Sequence, residues 1–173
     1  MQFTADQVKA LQHVALETIK SETKHTKRVI EAIPVEKSDY KPDPVAMSSL
    51  ELAKHIALSD VQFLDGIRTG KFDFSTKLPE SVKTPADIAT WYVNEMERVT
   101  NGLGSMSSEQ LGEVLDFMGF MQMPAVLFLT MAVNHSIHHR GQLTTHLRPM
   151  GSKVPSIYGS SYDDEQAQKA ASA

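Results

Sequence analysis

The stretch Asn134-His135-Ser136-Ile137-His138-His139-Arg140-Gly141-Gln142-Leu143 holds three of the seven histidines in this chain. It lies inside a long run of apolar residues at helical spacing. Side chains four residues apart lie one above the other on a helix, so His135 and His139 share one face. Apolar residues occupy the same broad stripe, which predicts that both imidazoles point into the protein: Phe128, Met131, Ala132 and Leu143.

Two inward histidines one helical turn apart can chelate a metal ion, because their nitrogens come within reach of a common point. A third ligand has to come from another element. His55, at the edge of the apolar stripe of a second predicted helix, is the best candidate. Spacing alone leaves open that the pair is merely hydrogen-bonded in a partly buried position.

The remaining histidines are interpreted differently. His13 and His25 lie on the first predicted helix, His25 amid basic residues, and neither is assigned a ligand role. His138 lies roughly 60° from the pair, which predicts a supporting, intersubunit or surface position. His146 continues the ligand stripe but lies nearly two turns beyond His139, too far to bind the same ion.

Composition predicts one globular domain with a sizeable core. The chain has 173 residues, of which 41% are hydrophobic, and we place the core at about residues 4–150 with a tail at 152–173. We expect that tail to fray, with Val154, Pro155, Ile157 and Tyr158 as the residues that could pack on the body. A formal charge of -4 gives no reason to expect nucleic acid or an anionic membrane as a partner.

Targeting and cysteine patterns narrow the function classes further. The first twenty residues lack the apolar core of a secretory signal, and the longest apolar run is far below the roughly 20 residues that span a bilayer. We therefore expect a soluble, cytoplasmic protein. Cysteine is absent, which excludes disulfides, thiolate ligands and a cysteine nucleophile.

Four long helices are predicted from apolar periodicity and capping residues. The first begins at the capping box Thr4-Ala5-Asp6-Gln7 and continues to Pro34; the others run from about 47–49 to 66–70, from Thr84-Pro85 to about 101, and from 123–124 to 148. Segments 34–45, 71–83 and 105–122 are predicted to be irregular connections. The fold class is therefore all-α, an antiparallel four-helix bundle with irregular connections.

The final-helix motif resembles a known family. His-x-x-x-His-Arg-Gly-Gln-Leu at 135–143, continuing to Leu147-Arg148 and Gly151, is similar to the last-helix signature of the DinB-like metalloproteins. Ala53-Lys54-His55-Ile56 resembles that family's second-helix histidine segment, and Val154-Pro155-Ser156-Ile157-Tyr158-Gly159 also matches.

The resemblance implies a four-helix bundle, commonly a homodimer, that holds one divalent metal through His55, His135 and His139. It also implies a metal-dependent transferase or isomerase that uses a low-molecular-weight thiol such as bacillithiol, mycothiol or glutathione. Zinc and nickel are the first choices for the metal, with iron and manganese as alternatives, since imidazole accepts all of them.

Three imidazole ligands leave a coordination position open, as in catalytic zinc sites. The nucleophile would then be a metal-bound water or an incoming thiolate acting on a small electrophile, and no general base is identified. Gln142 continues the ligand stripe and is a candidate to line a pocket. Trp91 and Glu95, which share the inward side of the third helix, are further candidates, with core packing as the favoured interpretation of Trp91. The alternatives are a metal-dependent hydrolase, a non-catalytic metal-binding stress protein and, against the charge, a protein associated with nucleic acid.

The back of the last helix predicts association. Val126, Val133 and Ile137 lie about 180° from the ligand stripe, on a face that a monomeric bundle would normally leave polar. We expect a homodimer that uses this face. The alternative is that residues 105–122 or 154–158 cover it within one chain.

Overall fold

The computed structural model describes residues 3–172. Four long helices form the body: α1 (Ala5–Glu31), α2 (Ser49–Thr69), α3 (Pro85–Gly104) and α5 (Ala125–Leu147). A short helix α4 (Ser108–Gly112) and a hairpin of β1 (Val114–Phe117) and β2 (Met121–Pro124) precede α5, and α6 (Tyr162–Ala171) follows it. The predicted all-α bundle is confirmed.

Local sequence explains where the helices begin. Thr4, Ser48 and Thr84 each cap a long helix, and in each case the third residue of the helix returns a side-chain bond to the cap backbone. Such a capping box satisfies two amide groups that would otherwise lack partners. Pro85 occupies the first position of α3, where its missing N–H costs nothing.

The helix contacts show how the bundle is arranged. Helices α1 and α2 each pack against both α3 and α5. Asp60 of α2 contacts Tyr92 of α3, and Asp65 contacts Arg98 further along both helices, so these two helices run parallel. Helices α2 and α5 run antiparallel, as do α1 and α3, whereas α1 and α5 run parallel. Residues 71–84 are long enough to return along the roughly 30 Å of α2, which makes the parallel pair feasible.

The segment 105–122, which the sequence predicted to be irregular, contains α4, β1 and the first residues of β2. That prediction was wrong because the turn lacks the usual Asn-Gly or Asp-Gly signal. Met118 and Gly119 both adopt positive φ, of 53° and 77°, and Asp116 accepts a hydrogen bond from the Gly119 amide at 2.8 Å. The inward side of the hairpin then buries Leu115.

The back face of α5 is covered within the chain. Val126 and Val133 are buried, Ile137 packs against the core, and α1 lies along α5. The cover lies within the chain: α1 packs along α5, and α4, which belongs to the segment 105–122, also contacts α5. This burial removes the reason for placing a dimer interface there, and a homodimer stays a prediction without a located surface.

The C-terminal residues form a helix, contrary to the fraying expected from sequence. Ser161 caps α6, and Asp163 pairs with Arg148 at the end of α5 at 3.0 Å. Among the described helices, none has the length and apolar character needed to cross a membrane.

Candidate metal centre

The three histidines singled out in the sequence meet between α2 and α5. His55 comes from α2, and His135 and His139 come from successive turns of α5. One ring nitrogen from each lies within 4.8 Å of the other two. All three side chains are partly exposed, so the cluster lies where the bundle core meets the solvent.

The spacing of these rings leaves the nitrogens poorly satisfied by one another. Nε2 of His55 lies 3.3 Å from Nε2 of His139, and the ring centroids of the cluster are separated by 4.5 to 5.6 Å. Two neutral imidazoles cannot both present lone pairs across that distance favourably. The repulsion between the two lone pairs is relieved either by a proton on one of the nitrogens or by a cation bound between them. A nitrogen of the third histidine, His135, lies in the same group, and three converging nitrogens favour the cation.

Hydrogen bonds orient His139 toward the cluster. Its Nδ1 lies 2.9 Å from Oε1 of Gln142, which can only accept, so Nδ1 carries the proton and Nε2 carries the lone pair. The Gln142 amide nitrogen in turn lies 3.1 Å from Nε2 of exposed His138. His138 therefore occupies a supporting surface position, as predicted, and Gln142 fixes the ring that faces the centre.

A buried carboxylate stands behind His135. Asp60 accepts hydrogen bonds on Oδ2 from the Tyr92 hydroxyl at 2.8 Å and the Ser136 hydroxyl at 2.7 Å. Its other oxygen, Oδ1, lies 3.8 Å from Nδ1 of His135, and neither of these two buried atoms has a hydrogen-bond partner among the described residues. A shift of about 1 Å would join them in the carboxylate–histidine arrangement common behind metal ligands.

Burial keeps two of the imidazoles in the neutral form that ligands need. It is the main cause that lowers the pKa of His55, with the neighbouring His139 and His135 lowering it further and Asp60 opposing them. Burial also lowers the pKa of His139, and the hydrogen bond that His139 donates to Gln142 opposes this effect. Both rings are therefore neutral near pH 7.

Beneath the cluster the core is aromatic. Phe63 of α2 lies 6.4 Å, centroid to centroid, from His135. Four more phenylalanines from three other segments complete this apolar layer: Phe72, Phe74, Phe117 and Phe128. The layer leaves the solvent side as the route to the histidines.

A cavity of about 690 Å³ opens beside His139. Gln142 and His146 also line it, together with apolar residues from α2 and the loop before it: Pro42, Ala46, Met47 and Leu52. Trp91 and Glu95 line a different cavity, between α2 and α3. The sequence grouped Trp91 and Glu95 with Gln142 because both lie on the inward side of α3. That side of α3 packs against α2 away from the cavity that Gln142 lines.

Sequence reasoning missed Arg140, which follows the last ligand directly. Its side chain is 2% exposed and forms an ion pair with Glu22 of α1 at 2.5 Å. The Tyr158 hydroxyl accepts from Arg140 at 2.6 Å and donates to Glu22 at 2.8 Å. Asp60 was missed as well. Arg140 and Asp60 form their hydrogen bonds mainly with residues on other helices. The periodicity of apolar residues within one helix does not predict such contacts.

The residues fit a divalent ion. The donor set consists of three nitrogens, two of their rings are held neutral, and Asp60 and His135 each keep one buried atom without a partner. The cluster could therefore hold a metal ion. His146, buried seven residues beyond His139, is not part of this group.

Comparison with known proteins agrees with this architecture. A model described as the DinB family matches residues 2–170. The chain is 30% identical to YjoA of Bacillus subtilis over 129 residues, covering 73% of this chain and 82% of YjoA. It is also 30% identical to YrdA of the same organism over 99 residues, covering 54% of this chain and 59% of YrdA.

Solved structures give the same result. The crystal structure of the DinB-like protein YjoA from Bacillus subtilis aligns with a TM-score of 0.70 at 28% identity, covering 83% of this chain and 96% of YjoA. That of a DinB-like protein from Bacillus cereus aligns with a TM-score of 0.70 at 26% identity, covering 83% and 95%.

Proposed function

The chain belongs to the DinB family, and we propose on that premise that it is a metal-dependent enzyme that transfers a low-molecular-weight thiol to a small electrophile. The observation that carries the proposal is the convergence of His55, His135 and His139 next to an open cavity. A divalent ion held by these residues would supply a Lewis acid that lowers the pKa of a thiol or a water. Zinc or nickel is the expected ion.

The chain's own residues would divide the work around that centre. Asp60 would hold the His135 ring by accepting from Nδ1, and Gln142 holds His139 in the same way. The phenylalanine layer keeps water out from below. Since the chain has no cysteine, the thiol has to be a second substrate.

A thiol panel tests this proposal. The protein is stripped with a chelator, reloaded with zinc or nickel, and mixed with 1-chloro-2,4-dinitrobenzene and glutathione, bacillithiol or mycothiol in turn. We expect metal-dependent loss of one thiol above the uncatalysed rate, abolished by His55→Ala. His13→Ala, a histidine exposed on α1, is the matched control and should keep full activity.

The alternatives have distinct outcomes in the same assay. Metal-dependent hydrolysis of 4-nitrophenyl acetate without any thiol would favour the hydrolase. A protein that binds metal stoichiometrically yet consumes neither the thiols nor the ester would contradict the proposed transfer and favour a non-catalytic role.

A further inference from the structure

The size and the lining of the cavity beside the histidine cluster indicate what kind of molecule it could bind. Its volume of about 690 Å³ suits a small organic molecule. Among the described residues that line it, none is Asp, Glu, Lys or Arg. His139 and His146 both line it and stand seven residues apart on α5, about 10 Å along the helix axis. The cavity therefore has a polar group well away from the ligands.

His146 is held in one orientation by its neighbours. The residue is 4% exposed, and its Nδ1 lies 3.1 Å from the hydroxyl of Ser49. That hydroxyl has one proton and two other acceptors in reach, the Tyr40 carbonyl at 3.3 Å and the Met150 sulfur at 3.4 Å. When the Ser49 proton goes to one of these two acceptors, Ser49 accepts from Nδ1–H, which would leave the lone pair of His146 on Nε2.

Nε2 of His146 has no hydrogen-bond partner within residues 3–172. It is not one of the two fully buried unpartnered atoms, which belong to Asp60 and His135. Since His146 lines the cavity and its Nδ1 is engaged with Ser49, we infer that Nε2 is the ring nitrogen that faces the cavity. Burial lowers the pKa of His146, and the group that faces it from the α1–α2 connection is the Tyr40 ring at 5.8 Å. In the tautomer with the proton on Nδ1, this imidazole would present a neutral acceptor to the cavity.

We propose that His146 determines substrate specificity: the cavity binds a neutral, mostly apolar molecule that donates a hydrogen bond from a hydroxyl or N–H group to Nε2 of His146. The identification of this molecule as the electrophile rests on the proposed function. The apolar walls accept its body, while its reactive end lies toward His139. In the metal-free protein a carboxylate at the His146 end of the cavity is disfavoured, because no Lys or Arg among the described lining residues pairs with it.

Binding to the metal-free protein tests the recognition without reference to turnover. The probes are 4-propylphenol, propylbenzene and 4-propylbenzoate, titrated while the histidine ring nitrogens are observed by NMR. We expect the phenol to bind about three- to tenfold more tightly than propylbenzene, the gain from one neutral hydrogen bond, and the benzoate to bind most weakly. The phenol should shift Nε2 of His146 selectively.

Two substitutions form a matched pair. His146→Phe keeps the apolar volume and removes the acceptor, so the preference for the phenol should vanish. His146→Gln restores an acceptor in the amide oxygen and should recover part of the preference. In the proposed reaction, His146→Phe should raise KM for a hydroxyl-bearing electrophile and leave kcat and metal content unchanged.

Several results would overturn the proposal: no binding of the phenol, equal affinity for phenol and propylbenzene, tightest binding of the benzoate, or ring shifts showing Nε2 rather than Nδ1 protonated. The ring shifts are measured on the unmodified protein, so the test stands even where His146→Phe fails to fold. A negative thiol panel beside a positive phenol titration would reject the transferase alone.

Discussion

Two neighbouring residues of α5 lead to opposite kinds of polar cluster. His139 turns toward α2 and joins a group of three partly exposed imidazoles. Arg140 turns toward α1, is 2% exposed, and is fully engaged with Glu22 and Tyr158. The arginine cluster completes its hydrogen bonds inside the protein, whereas Asp60 and His135 behind the imidazoles each keep a buried atom without a partner.

This difference separates a structural cluster from a candidate metal-binding site. A buried polar atom without a partner costs about 1–3 kcal/mol, so a folded protein that keeps two of them side by side gives up stability. A hydrogen bond from Nδ1–H of His135 to Asp60, as expected when His135 acts as a metal ligand, would recover that cost. The first cluster should therefore control stability, and the second should control metal affinity.

The largest effect is expected from the arginine cluster. Arg140→Ala leaves Glu22 buried without its cation, and the free energy of unfolding should fall by about 3–5 kcal/mol. Urea unfolding followed by circular dichroism measures this. Arg148→Ala is the matched control, because its pair with Asp163 has an arginine side chain that is 51% exposed and should be worth less than about 1 kcal/mol. Equal losses of unfolding free energy in Arg140→Ala and Arg148→Ala would contradict the structural role given to the arginine cluster.

A smaller effect is expected from the carboxylate behind the imidazoles. Asp60→Asn keeps the shape of the side chain but weakens the hydrogen bond available to His135, so metal affinity should fall about 10- to 100-fold. Competition with a coloured chelator measures the affinity. Asp65→Asn, on the same helix but paired with Arg98, should leave it unchanged. Unchanged zinc affinity in folded Asp60→Asn would remove Asp60 from the site.

The smallest effect is a dependence on pH in the metal-free protein. The folded pKa values of His55 and His139 lie below the ordinary value of 6.5, so the unfolded chain binds more protons in that window. Stability is therefore full above about pH 6.5 and falls as the pH drops toward the folded values. Urea unfolding at pH 7 and pH 5.5 should show this loss, and His55→Gln combined with His139→Gln should reduce it. An equal loss of stability in the double variant would show that His55 and His139 are not its cause.

The sequence predicted the parts of the site that lie within single helices. Spacing placed His135 and His139 together, and an edge position on α2 identified His55. Capping residues located the starts of α1 and α3. The sequence did not predict the contacts that Arg140, Asp60 and His146 make with residues on other helices. Apolar periodicity describes the faces of one helix and gives no distances between helices. The parallel arrangement of α2 and α3 depends on the path of a long connection, which the sequence does not specify.

Metal content tests the central claim most directly. Protein purified without chelator and dialysed against zinc or nickel should hold one ion per chain by elemental analysis. His55→Ala, His135→Ala and His139→Ala should each lose that ion, while His138→Ala, in its supporting surface position, should keep it. Stoichiometric metal in His135→Ala and His139→Ala alike would contradict the account, as would loss of the ion in His138→Ala with retention in His139→Ala.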